Sequence, residues 1–389
     1  GSTTSNNKVN MSGTTVSGVV TGGAGSGTGN ALTVKGNNRA GNIAGFQKLT
    51  FNLGNLNRTN PMLRLTNGTA TNITFGSIAF EGTPEPKVGQ ITLVEKSAPS
   101  IHVADYAGVR GRTEGDFEYD LDTDTQTANA KKILFDGYRF RNAVVTGAAS
   151  GTDTWAGRSR IGNSTVNNRL TITGGSTTNA YGGWTAGTGT TAPAAQQNDT
   201  KDNTATLNAG TITNLYGGYT DAAAGKATGN KVFVNGGSVT ANVTGGFGGT
   251  DATDNHVTVT GGSVGGTIRG AQSAGTAHKN TVEIKGGNVH ANILGADAVG
   301  AATENKVTTT GTVSGNITGA KSTSGAVTKN VVTIKGNVTG NVTGGQTTGA
   351  ANANTVDLGA VTINGSVTGG VGSTTSNNKV NMSGTTVSG

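Results

Sequence analysis

Five acidic side chains fall on alternate residues in Asp116-Phe-Glu-Tyr-Asp-Leu-Asp-Thr-Asp124: Asp116, Glu118, Asp120, Asp122 and Asp124. On a β-strand they share one face. Asp120, Asp122 and Asp124 also carry the 1-3-5 spacing of a calcium loop. The rest of such a loop is missing, since Thr125 stands where the turn glycine belongs and Lys131 where the bidentate glutamate belongs. The reading adopted is a solvent-facing strand with Phe117, Tyr119 and Leu121 turned inward, and with these three aspartates as the only metal candidates. Sugar cleavage needs two carboxylates converging on one groove. Glu283 and Asp357 occupy equivalent sites several repeats apart, and Asp251, Asp254, Asp297 and Glu304 lie in variable loops. His256, His278 and His290 have no Ser, Cys or second His at catalytic or ligand spacing. Trp155, Trp184, Tyr181, Tyr216 and Tyr219 could stack on a sugar, or could cap coils. No cofactor motif is present, and the expectation is a protein that is not an enzyme.

What positions these residues is a repeat. The phrase Asn, any residue, apolar, polar, apolar recurs as Asn230-Lys-Val-Phe-Val234, Asn255-His-Val-Thr-Val259, Asn280-Thr-Val-Glu-Ile284, Asn330-Val-Val-Thr-Ile334, Asn354-Thr-Val-Asp-Leu358 and Asn378-Lys-Val-Asn-Met382. Asn305-Lys-Val-Thr-Thr309 is an irregular copy, and earlier copies start at Asn7, Asn30, Asn168 and Asn203. From Asn230 to Asn378 the steps, by subtraction, are 25, 25, 25, 25, 24 and 24 residues. A second apolar pair follows each phrase, as in Val239 with Val243 and Val264 with Ile268, and then glycines. Alternation with period two is strand geometry. Short Val, Ile and Thr strands between Gly and Asn turns, at a fixed period, predict an all-β chain folded as a parallel β-solenoid, or β-helix, with coils of about 25 residues stacked at about 4.8 Å. The Asn of each phrase is then a structural ladder (Asn230, Asn255, Asn280, Asn305, Asn330, Asn354, Asn378), with amides bonded to the coils on either side. Glycines are expected at corners with φ > 0.

Composition agrees. Aromatic residues are only 4% and Gly numbers 67 of 389, too few large side chains for a thick globular core but enough Val and Ile for a thin one in each coil. There is no Cys, which removes disulfides and thiolate metal sites. The net charge of +7 is carried by dispersed Lys and Arg, so nucleic acid is not an expected partner. No apolar run reaches the roughly 20 residues of a membrane helix, so no membrane insertion is expected in this segment.

The short period breaks between Asn30 and Asn168, where most Phe and Tyr and all but one Pro are found. Lys48 to Leu53, Met62 to Thr66, Ile73 to Phe80, Gln90 to Val94, Phe117 to Leu121 and Ile133 to Phe140 read as antiparallel strands and hairpins of a small module. The predicted organisation is therefore coils over 1–35, an inserted antiparallel β module over 36–150, and coils over 151–389. The longest variable loop runs from Thr185 to Asp202. Finally, residues 372–389 repeat residues 1–18 letter for letter, GSTTSNNKVNMSGTTVSG, at an offset of 371 (372 − 1). The reading is one period of a tandem array, with end-to-end contact through Val9, Met11, Val16, Val380, Met382 and Val387. Gly1 is then expected to be an internal point of a mature chain, where a signal peptide would not show.

The Asn-x-Val-x-Val phrases, with Gly236-Gly-Ser-Val239 and Leu215-Tyr-Gly-Gly218, resemble passenger repeats of giant bacterial autotransporter-type surface proteins. Leu49-Thr-Phe-Asn-Leu53, Met62-Leu-Arg-Leu-Thr66 and Val88-Gly-Gln-Ile-Thr-Leu-Val94 are similar to modules that interrupt such passengers, with Gln90 at the place of an Asp. The resemblance implies an exported, extracellular or cell-surface protein with an adhesive or scaffolding role and no catalytic residue. The expected function is a structural fibre or stalk whose partner is itself, end to end. An adhesin for a host glycan or surface protein is the alternative, and a polysaccharide-cleaving β-helix a minor one.

Overall fold

The structure, a computed structural model, describes residues 3–23, 27–54, 59–86, 88–98, 100–186 and 198–389. It divides into two compact units, 1–139 and 140–389.

The second unit is a parallel β-solenoid. Each coil lays a copy of the repeated phrase on the next in unbroken register. Val232, Val257, Val282, Val307, Val332, Val356 and Val380 stand in one column. Val234, Val259, Ile284, Thr309, Ile334, Leu358 and Met382 form the next. The second apolar pair makes two more, Val239 to Val264 to Val289 and Val243 to Ile268 to Ile293 to Ile317. The remaining side is lined by small residues, Ala227, Ala252, Ala277 and Ala302. Apart from the last members, Val380 and Met382, these side chains are buried and touch mainly their own coil and its two neighbours, so the core is one residue pair thick and many coils long.

Two backbone features make the coil. The residue before each ladder Asn is left-handed: Asp254 (φ 56°), Lys279 (54°), Glu304 (58°), Lys329 (57°) and Ala353 (54°). The expectation of glycine at this corner holds only at Gly29 and Gly229. The others accept a left-handed conformation costing about 1–2 kcal/mol, because every neighbouring coil fixes the same turn. The corner after the phrase does use left-handed glycine in successive coils, at Gly210 (φ 103°), Gly237 (68°), Gly262 (73°) and Gly287 (85°). Elsewhere glycine is needed for closeness rather than φ. A Cβ on Gly270 would stand 2.4 Å from the Gly295 carbonyl oxygen and 3.2 Å from the Asn280 Cβ.

The first unit corrects the expected module. Lys8–Ser12, Ala31–Lys35, Lys48–Asn52 and Ile78–Glu81 stack in parallel, as do Thr15–Thr21, Asn38–Ala44, Leu63–Leu65 and Gly89–Lys96. Coils therefore run on through the region read as hairpins. Ile73 to Phe80 is not one strand either, but Thr71–Ile73, a 3-10 turn at Phe75–Ser77, and Ile78–Glu81. Among the described residues antiparallel pairing is confined to Val109–Glu114, Phe117–Thr123 and Lys132–Arg139 on Gly89–Lys96, with Asn129–Ala130 on Ile101–Val103. The reason is that alternation has period two in either strand direction, so it does not report direction. Larger side chains fill this unit: Phe80, Tyr119 and Phe135 meet with ring centroids 4.9–5.6 Å apart. Residues 1–35 pack with it, since Met11, Leu32 and Val34 share its core. Residues 140–149 belong instead to the second unit, where Val144–Ala149 pairs with Arg169–Thr185. The boundaries at 35 and 150 thus give way to one at 139/140.

Thr309 sits in a column of Val, Ile and Leu, fully buried, and its hydroxyl has no hydrogen-bond partner. An unmet buried polar group costs about 1–3 kcal/mol. T309V keeps the shape and removes the hydroxyl, so it is expected to stabilise the solenoid by about 1 kcal/mol, read as a higher guanidinium midpoint. A lower midpoint would show that the hydroxyl is satisfied.

Candidate functional site

The Asn ladder is the most constrained polar feature of the chain. Asn280 shows its chemistry. Its Oδ1 accepts from the Asn255 backbone N–H (3.0 Å) and from Asn255 Nδ2 (2.9 Å). Its Nδ2 donates to the Ala252 carbonyl (2.8 Å) and to Asn305 Oδ1 (3.0 Å). Both lone pairs and both protons of the amide are used, with the side chain fully buried. The same linkage runs from Asn168 through Asn203, Asn230, Asn255, Asn280, Asn305, Asn330 and Asn354 to Asn378. In the first unit Asn7 donates to Asn30, and Asn30 N–H then donates to Gln47 Oε1 at 2.9 Å.

A second column was not anticipated. Asn179 Nδ2 donates to Asp153, Asn214 to Asn179 and Asn242 to Asn214, at 2.9–3.1 Å. Farther on, Asn292, Asn316 and Asn341 each accept the backbone N–H of the residue in the following coil. Its signal was present, as an Asn directly before an inward apolar residue in Asn214-Leu, Asn242-Val, Asn292-Ile, Asn316-Ile and Asn341-Val. Between the two parts Arg269 bridges Asn242 and Asp297.

The five aromatic residues form a ladder of their own. Trp155, Tyr181 and Tyr216 align in one column, and Trp184 and Tyr219 in another that Phe247 extends. Tyr181 stacks on Tyr216 at 5.3 Å and 11°, and Tyr219 on Phe247 at 4.8 Å and 21°. The Arg158 guanidinium lies 4.7 Å from the Trp155 ring centre and 4.2 Å from that of Trp184. Sugar stacking uses ring faces, and here most faces are covered by another ring or by Arg158. Burial pushes the Tyr181 hydroxyl well above its ordinary range, helped by Asp153, and raises Tyr216 and Tyr219 in the same direction.

Of the remaining candidates, Asp120 and Asp122 share Arg110, which lies 3.7 Å from Asp120. Asp120 accepts from Gly111 N–H (2.7 Å) and Asp122 from Tyr106 (2.8 Å) and Arg110, while Asp124 accepts from the Lys131 and Lys132 backbones (3.0 Å each). Among the described residues no group of three or more His, Cys, Asp or Glu could hold a metal ion. Glu283 and Asp357 stand in one outward column, three coils apart. That is about 14 Å at the strand spacing, beyond the separation of glycosidase carboxylates. Lys285, 2.7 Å away, holds Glu283 below the usual carboxylate range, the wrong direction for a general acid. His256 bonds Thr258, and burial lowers its pKa; His278 bonds Thr303. Lys96, unremarked in the sequence, is fully buried with its Nζ donating to the Asn67 carbonyl at 2.8 Å. Most of the Thr185 to Asp202 loop, residues 187–197, lies outside the described residues.

The six end-contact residues divide by position. Met11 is buried, and Val9 and Val16 are half-buried against the first unit's core. Val380, Met382 and Val387 are exposed. Comparison with protein-family models, characterised proteins and solved structures gave no match.

Two tests follow from the geometry. N280D turns the two-proton donor into a carboxylate facing two carbonyl oxygens. It is expected to destabilise by about 3–5 kcal/mol at pH 7. Burial raises that carboxyl's pKa, so part of the loss returns as pH falls and the acid protonates. Equal destabilisation at all pH values would place residue 280 in water. For the tyrosines, a raised folded pKa leaves stability intact below the unfolded value near 10 and erodes it as pH rises further. Phenolate absorbance should therefore appear with unfolding rather than before it, and Tyr181→Phe should move the alkaline midpoint upward. A smooth titration near pH 10 in folded protein would refute the burial.

Proposed function

We propose that this chain is a structural protein, a segment of an extracellular fibre or cell-surface stalk built from stacked β-solenoid coils. The observation that carries the reading is the continuity of the Asn ladder through the second unit: from Asn203 to Asn354 every coil receives hydrogen bonds from one neighbour and gives the same set to the other. A unit of that kind has no natural last member, and its ladder lengthens with each added coil. The role is mechanical. Tension along the axis is shared by strand ladders on every side of each coil and by the apolar columns between them. The acidic, histidine and aromatic residues support this reading in a plain way, since each is held by partners of its own coil or the next. The letter-for-letter return of the first eighteen residues after 371 supports an array of covalent periods.

The test is the mass of the native polymer after full denaturation. The expected result is material at many multiples of the 38.4 kDa of this chain. A single band near 38.4 kDa would overturn the covalent array.

A further inference from the structure

Over the described residues the two copies of the repeated segment share two left-handed turns and use opposite edges. Asn6 and Asn377, equivalent at the offset of 371, are both left-handed, with φ of 60° and 54°. So are Gly13 and Gly384, at 60° and 68°. The strand Lys379–Met382 pairs with Thr355–Leu358 in the coil before it, Val356 facing Val380 and Leu358 facing Met382. The same letters at Lys8–Ser12 pair with Ala31–Lys35 in the coil after it, Val9 facing Leu32 and Met11 facing Val34. On the next side of the coil, Val387 faces Ile363, and its equivalent Val16 faces Ala40. All these pairings are parallel.

The polar ladder divides in the same way. Asn378 accepts from Asn354, through both backbone N–H (2.9 Å) and Nδ2 (3.0 Å). Asn7 donates to Asn30, again through backbone N–H (3.0 Å) and Nδ2 (3.1 Å). Asn378 also donates Nδ2 to the Ala351 carbonyl at 2.7 Å, as Asn280 does to Ala252. Asn7 Nδ2 spends its other proton on the Gly22 carbonyl (2.7 Å). With that bond exchanged for the one to Ala351, the two halves make the complete bonding set of Asn280. Apolar burial is complementary too: the Met is 55% exposed in one copy and 3% in the other.

Resting on the fibre reading, we propose that a single copy of this segment is the junction coil between successive periods. Its first edge lies on residues 355–363 of the period before, and its second on residues 31–44 of the period it opens. The partner of the chain is thus another copy of its own sequence, held in one register. The columns then run Val356, shared Val, Leu32; Leu358, shared Met, Val34; and Ile363, shared Val, Ala40, with the Asn ladder passing through without a break.

The test is a two-period chain in which residues 1–371 precede the full 1–389 sequence, so that one copy is internal. Amide hydrogen exchange of the internal copy is compared with that of residues 379–382 in the 389-residue chain. The expected result is that internal amides on both edges, those directed at Thr355–Leu358 of the first period and those directed at Ala31–Lys35 of the second, slow together to the range of interior strands. Fast exchange on either edge, beside protected coils, would overturn the junction and leave the solenoid standing. Disulfide formation gives a second readout, free of background because the chain has no Cys. Asn10 faces Thr33 in register, and a Cα spacing of about 4.8 Å suits a disulfide. In separate two-period chains, Cys in place of Asn381 of the internal copy is combined with Cys in place of Asp357 of the first period or of Thr33 of the second, and both pairs should oxidise within one chain. Free thiols after oxidation would overturn the proposal. Neither result depends on the polymer mass, so failure of the junction and failure of the covalent fibre are told apart.

Discussion

A buried amide that must satisfy itself by translation governs this fold. Where every coil repeats the last, a polar side chain on the axis meets only its own kind above and below. It has to give what it receives. Of the neutral side chains only Asn and Gln carry two protons and a carbonyl in one plane. Asn reaches the next coil from a short stem, so the ladder residue can also donate to a carbonyl in the preceding coil, as Asn280 does to Ala252. The longer Gln appears at Gln47, where it accepts from Asn30 at the far end of the first unit's ladder. A satisfied buried network of this kind specifies register, because a one-residue slip would take each amide away from its matching Asn and leave several donors unmet.

From that constraint the rest of the cross-section follows. The ladder side chain occupies interior space, so the strand opposite must come close without a Cβ, and Gly270 meets Gly295 and Asn280 for this reason. In the second unit the inward positions that remain are filled mainly by Val, Ile, Leu and Ala, and rings stand in outer columns where they stack face to face along the axis, as Tyr181 on Tyr216 and Tyr219 on Phe247. In the first unit rings enter the inward columns, with Phe51 facing Phe80. Low aromatic content is thus a property of the geometry and no sign of a weak core. Loops carry the length variation: the ladder step is 35 residues from Asn168 to Asn203 and 27 from Asn203 to Asn230, with the same bond at each.

Much of this was legible in the sequence, and what was not has a physical cause. The phrase and its apolar columns were readable because strand alternation and coil period are both one-dimensional signals, and Asn230 to Asn378 stand in the ladder as expected. Strand direction is not one-dimensional, and so the parallel coils at Lys48–Asn52 and Leu63–Leu65 were mistaken for hairpins. The left-handed corners escaped notice because Lys279, Glu304 and Ala353 are residues that local preference would keep out of that region. Tertiary repetition overrides it there. The aromatic residues were recognised, but their mutual stacking required the register that only the fold supplies. Lys96 gave no signal, since a lone Lys on a strand reads as solvent-facing.

The division between inward and outward columns also says where a binding function would have to be built on such a scaffold. The inward columns and the ladder are coupled from coil to coil, so a change in one is felt by two neighbours. The outward column is not coupled in this way. It reads Phe233, Thr258, Glu283, Thr308, Thr333, Asp357 and Asn381, seven positions in register with almost every chemical type represented. That freedom is what a solvent-facing strip on a rigid support permits. Its contacts are local, such as Glu283 with Lys285 and Asn381 with Asp357. A recognition surface written there would leave the stacking unchanged. The physical requirements for building length and for acquiring a ligand are therefore separable in this chain, and the structure described by its ladders satisfies the first independently of the second.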